Sequence, residues 1–296
     1  MNKKVSIIII SYNSEKTILD TLVSALNQTY KNYEIIVSDD CSTDNTIDII
    51  KKWREENNLK NVKILETLNN EGVVKNINKA LKEATGEWIK IIAADDILKK
   101  TCLEDNLNFV LKNKEIKICF SKAETFGRGN KIIPDEKKIK YYNLSAKEQY
   151  EELKWDNFIV APTSFINRDI FKKYGFFDER IKMIEDRPYW LNLTSRGEKI
   201  YFLNKITVYY RVGESLSNSQ TRIVHVPTYA SRKLWYKYYL KERATIGLKW
   251  HYELEFFLKD NLIKIFKNKS NVLTRIVLKW FRILDIAYIL NKIKNI

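Results

Sequence analysis

Strand-like and helix-like patterns of apolar residues alternate over the first ninety-odd positions of the chain. The strand patterns are short continuous apolar runs, and the helix patterns repeat apolar positions every three or four residues. Such alternation predicts an α/β domain with a mostly parallel sheet and helices on both faces. The predicted strands are 5–10, 34–37, 62–65 and 88–94, and the predicted helices are 14–27, a segment after residue 44, and 73–84.

The fourth predicted strand stops at two adjacent carboxylates, Asp95 and Asp96. Two like charges on neighbouring residues repel each other more strongly as solvent is excluded, so the pair favours a bound cation. A second interpretation is that both residues only cap the helix that follows.

Polar residues also follow the first two predicted strands. Ser11, Tyr12 and Asn13 follow the first, and Asp39 and Asp40 follow the second. In parallel α/β sheets, ligands bind beyond the carboxyl ends of the strands. Tyr12 offers an aromatic face for a base, Asp40 accepts from a ring N–H or a ribose hydroxyl, and the later pair offers oxygen ligands for a divalent ion. These features together predict a nucleotide diphosphate held through a metal.

The glycine-rich motifs that usually cradle phosphates, GxGxxG and GxxxxGK[ST], are missing from the sequence. Their absence leaves a metal and basic side chains to neutralise the diphosphate. Lys75 is one candidate cation for the donor site. The same absence disfavours a nucleotidyltransferase, which would carry a glycine-rich loop after the first strand.

Several blocks of the sequence resemble the family 2 glycosyltransferases of GT-A fold in their order and spacing. The resemblance covers residues 1–217 and implies a Rossmann-like GT-A domain there. Residues 218–296 lie beyond it, and their own pattern predicts a basic helical region. The blocks are 5–13, 39–46, 70–72 with Asn76, 86–96, 175–179, 185–186 with Trp190 and Leu193, and 210–211 with Ser215 and Ser217.

The resemblance implies an inverting transfer of sugar from a nucleotide-diphosphate sugar, expected to be a UDP-sugar. The acceptor would be a glycan or a lipid-linked saccharide in surface polysaccharide synthesis, such as O-antigen or capsule. Donor contacts carry over to Ser11, Tyr12, Asn13, Asp40 and Asp95.

The resemblance also implies Mn²⁺ or Mg²⁺ at Asp95 and Asp96. Ala93 stands where the family usually has a leading Asp, so which of the two carboxylates ligates the metal directly stays open. Asp186 matches the family's general base. A carboxylate that takes the acceptor proton and a metal that stabilises the leaving diphosphate are what an inverting transfer requires.

Three further residues are candidate diphosphate or acceptor contacts: Glu185, Arg211 and Thr163. For Thr163 the alternative is a buried hydroxyl whose hydrogen bonds are satisfied inside the core. For Glu185 and Asp186 the alternative is acidic charge in the first turn of a helix, where it is favoured.

The composition narrows the class of protein. A chain of 296 residues with 45% hydrophobic side chains can bury one large core and carry a smaller appendage. Three cysteines without CxxC spacing and two histidines indicate neither a disulfide framework nor a zinc site, and favour a reducing compartment. The first apolar run is shorter than a signal peptide requires. We therefore expect a cytoplasmic protein.

The net charge of +15 is concentrated near the end of the chain. Residues 216–296 hold 16 Lys and Arg against 5 Asp and Glu, a net +11. Such asymmetry predicts contact with a polyanion. One alternative function is therefore a nucleic-acid-binding protein that uses this basic, aromatic region. Carboxylates at the strand ends argue against it, because they repel a nucleic acid on that face.

The segment 271–290 has the pattern of a basic amphipathic helix, with Arg275, Lys279 and Arg282 along one side. This pattern predicts a peripheral protein docked on an anionic membrane surface at the inner face of the cell membrane. The alternative is that the apolar side of the helix packs on the GT-A domain.

Overall fold

The computed structural model describes residues 3–184, 186–213 and 221–284, with side chains up to residue 281. The chain forms two compact units. The sheet unit comprises residues 1–153, 157–179 and 185–213, and the C-terminal unit comprises 154–156, 180–184 and 214–296. The predicted boundary after residue 217, together with Ser215 and Ser217, lies in 214–220, outside the described residues.

The sheet unit is built on one mixed sheet, which contains nine strands within the described residues. Its order is β3-β2-β1-β4-β8-β6-β9-β5, and β7 pairs with β6. The strands are β1 (Val5–Ser11), β2 (Tyr33–Asp39), β3 (Val62–Glu66), β4 (Trp88–Ala93), β5 (Ile97–Leu98), β6 (Ile118–Gly127), β7 (Ile132–Ile133), β8 (Phe165–Asn167) and β9 (Tyr201–Val212).

Eight helices of the described sheet unit connect and flank these strands. Two 3₁₀ turns, Lys140–Asn143 and Ala161–Thr163, lie between them. The helices are α1 (Ile18–Leu26), α2 (Thr46–Glu56), α3 (Val73–Glu83), α4 (Cys102–Val110), α5 (Glu136–Ile139), α6 (Ala146–Leu153), α7 (Arg168–Tyr174) and α8 (Asp186–Ser195).

The first four strands form the parallel half of the sheet. β1 pairs in parallel with β2 and with β4, and β2 pairs in parallel with β3. Ser11 is level with Asp39, and Ile10 is level with Ala93. The carboxyl ends of β1, β2 and β4 therefore meet at one edge of the sheet, as the sequence predicts.

The other half of the sheet is mixed. β8 is antiparallel to both β4 and β6, β9 is parallel to β6, and β5 is antiparallel to β9. The longest pairing of this half, β6 with β9, is parallel, and each antiparallel pairing spans only two or three residue pairs. The prediction of a mostly parallel sheet is therefore confirmed, with short antiparallel strands added to it. The pairing of β5 with β9 places the end of β9 beside the residues that follow β4.

The core of the sheet unit is apolar on both faces of β1 and β4. Trp88 stacks on Phe165 with ring centroids 5.0 Å apart. Each fully buried aliphatic or aromatic side chain contributes about 1.5–3 kcal/mol of hydrophobic stabilisation. Gly86 allows the chain to pass close to β1, since a Cβ atom there would lie 2.5 Å from the backbone nitrogen of Ser6.

The C-terminal unit consists of helices within its described residues: α9 (Val226–Trp235), a π-helical turn (Tyr236–Leu240), α10 (Ile246–Phe266) and α11 (Val272–Leu284). Trp235 and Tyr252 are buried, and their rings meet edge to face at 5.4 Å. Arg232 pairs with Glu255 at 2.8 Å. No helix in the described part of the chain is both long and apolar enough to cross a membrane.

Candidate active site

A tight turn after β4 carries Asp95 and Asp96. The Asp96 side chain is fully buried, whereas the Asp95 side chain is exposed. Asp96 Oδ1 accepts the backbone N–H of Arg211 at 2.9 Å, and Asp96 Oδ2 is buried without a hydrogen-bond partner among the described residues. Buried carboxylate oxygens normally have partners, so the lone pairs of Oδ2 remain available to a ligand.

The protonation of the pair follows from this environment. Burial and the neighbouring charge of Asp95 raise the pKa of Asp96 to about 8. A divalent cation held by carboxylates displaces such a proton and is well matched to oxygen ligands. The residues present therefore fit a metal. The capping alternative is wrong, because β5 follows the pair and α4 begins only at Cys102.

Within the described residues, the Asp95–Asp96 pair is a candidate metal site of two carboxylates. No group of three His, Cys, Asp or Glu side chains there is arranged to hold a metal ion. Two carboxylates would hold a Mn²⁺ or Mg²⁺ ion together with phosphate oxygens of a substrate, because Mg²⁺ usually binds through one or two carboxylates plus substrate phosphates.

Arg211, near the end of β9, lies next to the pair. Its Nε donates to the carbonyl oxygen of Asp95 at 2.9 Å, and its guanidinium lies 4.5 Å from the centroid of the Phe126 ring. Its Nη2 is also 3.7 Å from a carboxylate oxygen of Asp20. The guanidinium therefore supplies positive charge at the mouth of the acidic turn, where a diphosphate would need it.

The loops after β1 and β2 are fastened to each other. Ser11 Oγ donates to Asp39 Oδ2 at 2.8 Å, and Asp39 also accepts from the backbone N–H and the hydroxyl of Ser42. Asn13, in the left-handed region that Asn tolerates, accepts the N–H of Thr43 at 2.8 Å. The Tyr12 side chain is 42% exposed beside them, so its ring face is available to a base.

Asp40 is a buried carboxylate that holds a neighbouring loop. Its Oδ1 accepts the N–H of Glu71 and its Oδ2 accepts the N–H of Gly72, both at 2.8 Å. Gly72 has φ of 91°, which glycine adopts without strain. Lys75, one turn into α3, pairs with Glu71 at 3.0 Å. Asp40 thus orders the segment before α3, and each of its oxygens keeps a second lone pair.

Asp186, the first residue of α8, has a specific side-chain partner. Asp186 Oδ2 accepts from the Nδ2 of Asn157 at 2.9 Å, and Asn157 Oδ1 accepts the N–H of Ile159 at 3.1 Å. Burial raises the pKa of Asp186. A carboxylate with a raised pKa is a stronger base than an exposed one. Glu185 lies outside the described residues.

Tyr210 connects the two acidic groups. Its pKa is raised by burial and then by the charges of Asp96, Asp95 and Asp186. The phenol therefore lies within electrostatic reach of all three carboxylates.

Thr163 is fully buried under this region. Its hydroxyl donates to the carbonyl oxygen of Val160 at 2.8 Å and accepts the N–H of Ser121 at 3.0 Å. The structure agrees with the buried-hydroxyl alternative, and the site proposed below does not include Thr163.

Two residues near the site were not among the candidates drawn from the sequence. Asn157 has no local signal, because it reaches Asp186 only in the folded chain. Lys90 has a signal: it is a charged residue inside the apolar run of β4, and it is fully buried there. A buried lysine requires a reason beyond packing.

Residues 6–175 match the sequence model of Glycosyl transferase family 2. The chain therefore belongs to glycosyltransferase family 2, as its sequence blocks predict.

Three relatives are informative. The chain is 30% identical to a putative teichuronic acid biosynthesis glycosyltransferase, TuaG of Bacillus subtilis, over 81% of this chain and 88% of the relative. It is 35% identical to the Escherichia coli UDP-Glc:alpha-D-GlcNAc-diphosphoundecaprenol beta-1,3-glucosyltransferase WfaP, over 70% of this chain and 77% of the relative. It is 31% identical to the Staphylococcus aureus poly(ribitol-phosphate) beta-N-acetylglucosaminyltransferase TarS, over 73% of this chain. The chain spans only 37% of the length of TarS.

Two solved structures are similar in fold. Residues 1–349 of S. aureus TarS in complex with UDP-GlcNAc give a TM-score of 0.63 at 25% identity, covering 88% of this chain and 73% of that one. The mannosyltransferase PcManGT of Pyrobaculum calidifontis in complex with GDP-Man and Mn²⁺ gives a TM-score of 0.58 at 17% identity, covering 100% of this chain and 87% of that one. The predicted GT-A fold is confirmed.

Proposed function

We propose that this chain is an inverting, metal-assisted glycosyltransferase that moves a sugar from a UDP-sugar to a saccharide or lipid-linked acceptor in surface-glycan synthesis. The observation that carries the proposal is Asp96, whose buried Oδ2 lacks a partner among the described residues beside a second carboxylate. The UDP-GlcNAc complex of TarS and the donor named for WfaP support the choice of UDP.

The donor would lie along the edge formed by the ends of β1, β2 and β4. Ser11, Tyr12 and Asn13 would contact the nucleoside, with the second lone pairs of Asp40 accepting from the base or ribose. Arg211 would contact the diphosphate. Lys75 would also contact the diphosphate, after its exposed ion pair with Glu71 breaks. Breaking that pair costs little free energy, because exposed ion pairs contribute about 0–1 kcal/mol.

Mn²⁺ or Mg²⁺ held by Asp95 and Asp96 would neutralise the charge that develops on the departing diphosphate. Asp186 would take the proton of the acceptor hydroxyl as the new bond forms between that oxygen and the anomeric carbon. The bond from this carbon to the diphosphate breaks in the same step, so UDP leaves and the anomeric configuration inverts. Asn157 holds the Asp186 carboxylate in place during the proton transfer.

The test is a screen of purified protein against nucleotide sugars with Mn²⁺ or Mg²⁺, scored by release of the nucleoside diphosphate. We expect release from one UDP-sugar, faster with an acceptor and lost in excess chelator. A folded protein that releases no diphosphate from any donor under either metal would contradict the proposal. The proposal does not include nucleic acid, because Trp235 and Tyr236 of the basic aromatic segment are buried and the ends of β2 and β4 carry carboxylates.

The proposal includes docking on an anionic membrane surface through α11. The α11 row consists of four exposed apolar side chains, Val272, Leu273, Ile276 and Trp280. Thr274 and Phe281 of the same helix are buried, and Phe281 stacks on His251 at 6.3 Å. Arg275 and Lys279 are exposed beside the row, so the basic flank complements an anionic lipid headgroup while the row enters the interface. The side chain of Arg282 lies outside the described set.

Vesicle sedimentation tests this surface. We expect Ile276→Glu/Trp280→Glu to lose binding to phosphatidylglycerol vesicles. The matched control, Trp250→Glu/Phe257→Glu, changes side chains of α10 that are also exposed, and should keep binding. Binding that survives in the α11 variant would contradict docking through this row, as would a concentration-dependent dimer that only this variant abolishes.

A further inference from the structure

Lys90 is a fully buried cation in the middle of β4, five residues before Asp95. Its strand neighbours are apolar: Ile7 of β1 and Phe165 of β8 are level with it. Its Nζ donates to the carbonyl oxygens of Pro162 and, at 3.3 Å, Ser164. No carboxylate among the described residues lies within ion-pair distance of it. Two backbone carbonyls are therefore its anchors.

This arrangement is costly for the fold. Burial lowers the pKa of Lys90, and the carbonyl oxygens of Pro162 and Ser164 are the acceptors that hold its ammonium group. An apolar side chain of similar volume would fill the strand without the loss of solvation, and such replacements of buried charges are often neutral or stabilising. The stability of β4 alone therefore does not account for a lysine at this position.

The carbonyl groups that accept from Lys90 belong to the chain segment that also contacts Asp186. Pro162 lies in the 3₁₀ turn Ala161–Thr163, which Thr163 fastens to Ser121. A few residues earlier the same segment carries Asn157, which donates to Asp186. Lys90 therefore ties the strand that ends at Asp95 and Asp96 to the segment that holds Asp186.

We infer that Lys90 is a positioning residue that sets the separation between the Asp95–Asp96 pair and Asp186. The inference rests on the proposed function, because that separation matters only if the pair serves the leaving group and Asp186 serves the acceptor. Displacement of reacting groups by about 1 Å costs about 100-fold in rate. Two carboxylates from different segments need a rigid connection to avoid it.

The test is Lys90→Met, which keeps the length of the side chain and removes its charge. We expect kcat to fall by about 10- to 100-fold, since the acceptor side shifts, while the KM for the donor stays within about twofold. The melting temperature should stay the same or rise, because a buried charge is removed. A merely structural lysine would give the opposite: a lower melting temperature and an unchanged kcat.

Gln149→Leu is the matched control. Gln149 is also fully buried in the sheet unit and donates to the carbonyl oxygens of Tyr141, Tyr142 and Ile200. Its hydrogen bonds in the described part of the chain reach no residue of the proposed site, so the variant should melt at a lower temperature and keep its kcat when assayed below the transition.

The outcomes separate this inference from the proposed function. Wild-type protein and Asp186→Asn are assayed first, and a wild type without turnover refutes the proposed function itself. With an active wild type and an impaired Asp186→Asn, a Lys90→Met variant at wild-type kcat overturns the inference alone. A Lys90→Met variant that loses stability and keeps kcat, as Gln149→Leu should, overturns it as well.

Discussion

Two pairs of adjacent aspartates follow buried parallel strands at the same edge of the sheet, and the fold treats them differently. Asp39 and Asp40 are buried, and each accepts at least two hydrogen bonds from neighbouring loops. Asp96 is buried as deeply, yet one of its oxygens has no partner among the described residues, and Asp95 is exposed. The hydrogen bonds of the protein satisfy the first pair, and the second is the pair that we propose for a metal.

The difference is in energy as well as geometry. Hydrogen bonds to a charged group contribute about 1.5–3 kcal/mol each, so the first pair stabilises the loops around the donor edge. A buried carboxylate without partners costs free energy, which the protein avoids by keeping it protonated or by binding a cation. The same sequence pattern, two adjacent aspartates after a buried strand, thus has two uses in our proposal. It stabilises loops at Asp39 and Asp40, and it offers a metal site at Asp95 and Asp96.

The largest expected effect comes from removing the second pair. Asp95→Asn/Asp96→Asn should lower turnover by about 1000-fold or more, because several kcal/mol of leaving-group stabilisation are lost. The rise in melting temperature that Mn²⁺ causes in the wild type should disappear with it, since ligand binding to the folded state is what raises it. Turnover and melting are measured with and without Mn²⁺.

The control for that experiment is Asp48→Asn, which changes an exposed carboxylate on α2. It should keep both turnover and the response to Mn²⁺. A double variant of the pair that still responds to Mn²⁺ like the wild type would place the metal elsewhere.

A smaller effect is expected from the substitution of Asp186. In its hydrogen bonding Asp186 is intermediate between the two aspartate pairs, because Asn157 donates one side-chain hydrogen bond to it. Asp186→Asn should lower kcat by about 100-fold while the dissociation constant of the UDP-sugar stays unchanged, because only proton transfer is removed. Steady-state kinetics and calorimetric titration of the donor measure the two quantities. Loss of donor affinity in proportion to the rate would assign Asp186 to the donor site.

The parallel half of the fold was predictable because its strands are buried on both faces and appear as unbroken apolar runs. The mixed half was not. β5 and β7 have two residues each and β8 has three, which is too short for a periodic pattern. β9 is long, but it pairs with β6 through a register shift, and its antiparallel partner β5 is distant in sequence.

The sequence was enough to predict which residue types form the candidate site. It was not enough to predict the hydrogen bonds between them. Acidic residues at strand ends predict a metal or a ligand, and Asp95 and Asp96 are arranged as that prediction requires. The use of Asp40 as an anchor for Glu71 and Gly72 depends on a loop contact that spacing cannot show. Asn157 reaches Asp186 from 29 positions away for the same reason.

The next prediction concerns Asp40, one of the first aspartate pair, and its contribution to the free energy of unfolding. Asp40→Ala should lower the free energy of unfolding by about 2 kcal/mol, because the N–H groups of Glu71 and Gly72 lose their acceptors. Asp40→Asn, which keeps one acceptor oxygen, should lower it by about half as much. Urea unfolding followed by tryptophan fluorescence measures both. The melting response to Mn²⁺ should persist in both variants, and its loss would mean that the two aspartate pairs act as one metal site.

The last effect is a pH dependence to which the second pair contributes. The pKa of Asp96 is about 8 in the folded protein against an ordinary 3.8, so between these values the folded chain binds a proton that the unfolded chain has released. Asp96 therefore stabilises the fold fully below about pH 4, and this contribution falls by about 1.4 kcal/mol per pH unit as the pH rises towards 8. Asp96→Asn carries no such proton. Its melting temperature relative to the wild type should therefore rise between pH 5 and about 8, without metal. Saturating Mn²⁺ should reduce that difference by stabilising only the wild type. Equal pH dependence of the two proteins would show that Asp96 is ionised or hydrogen-bonded in solution, and the contrast between the two aspartate pairs would then disappear.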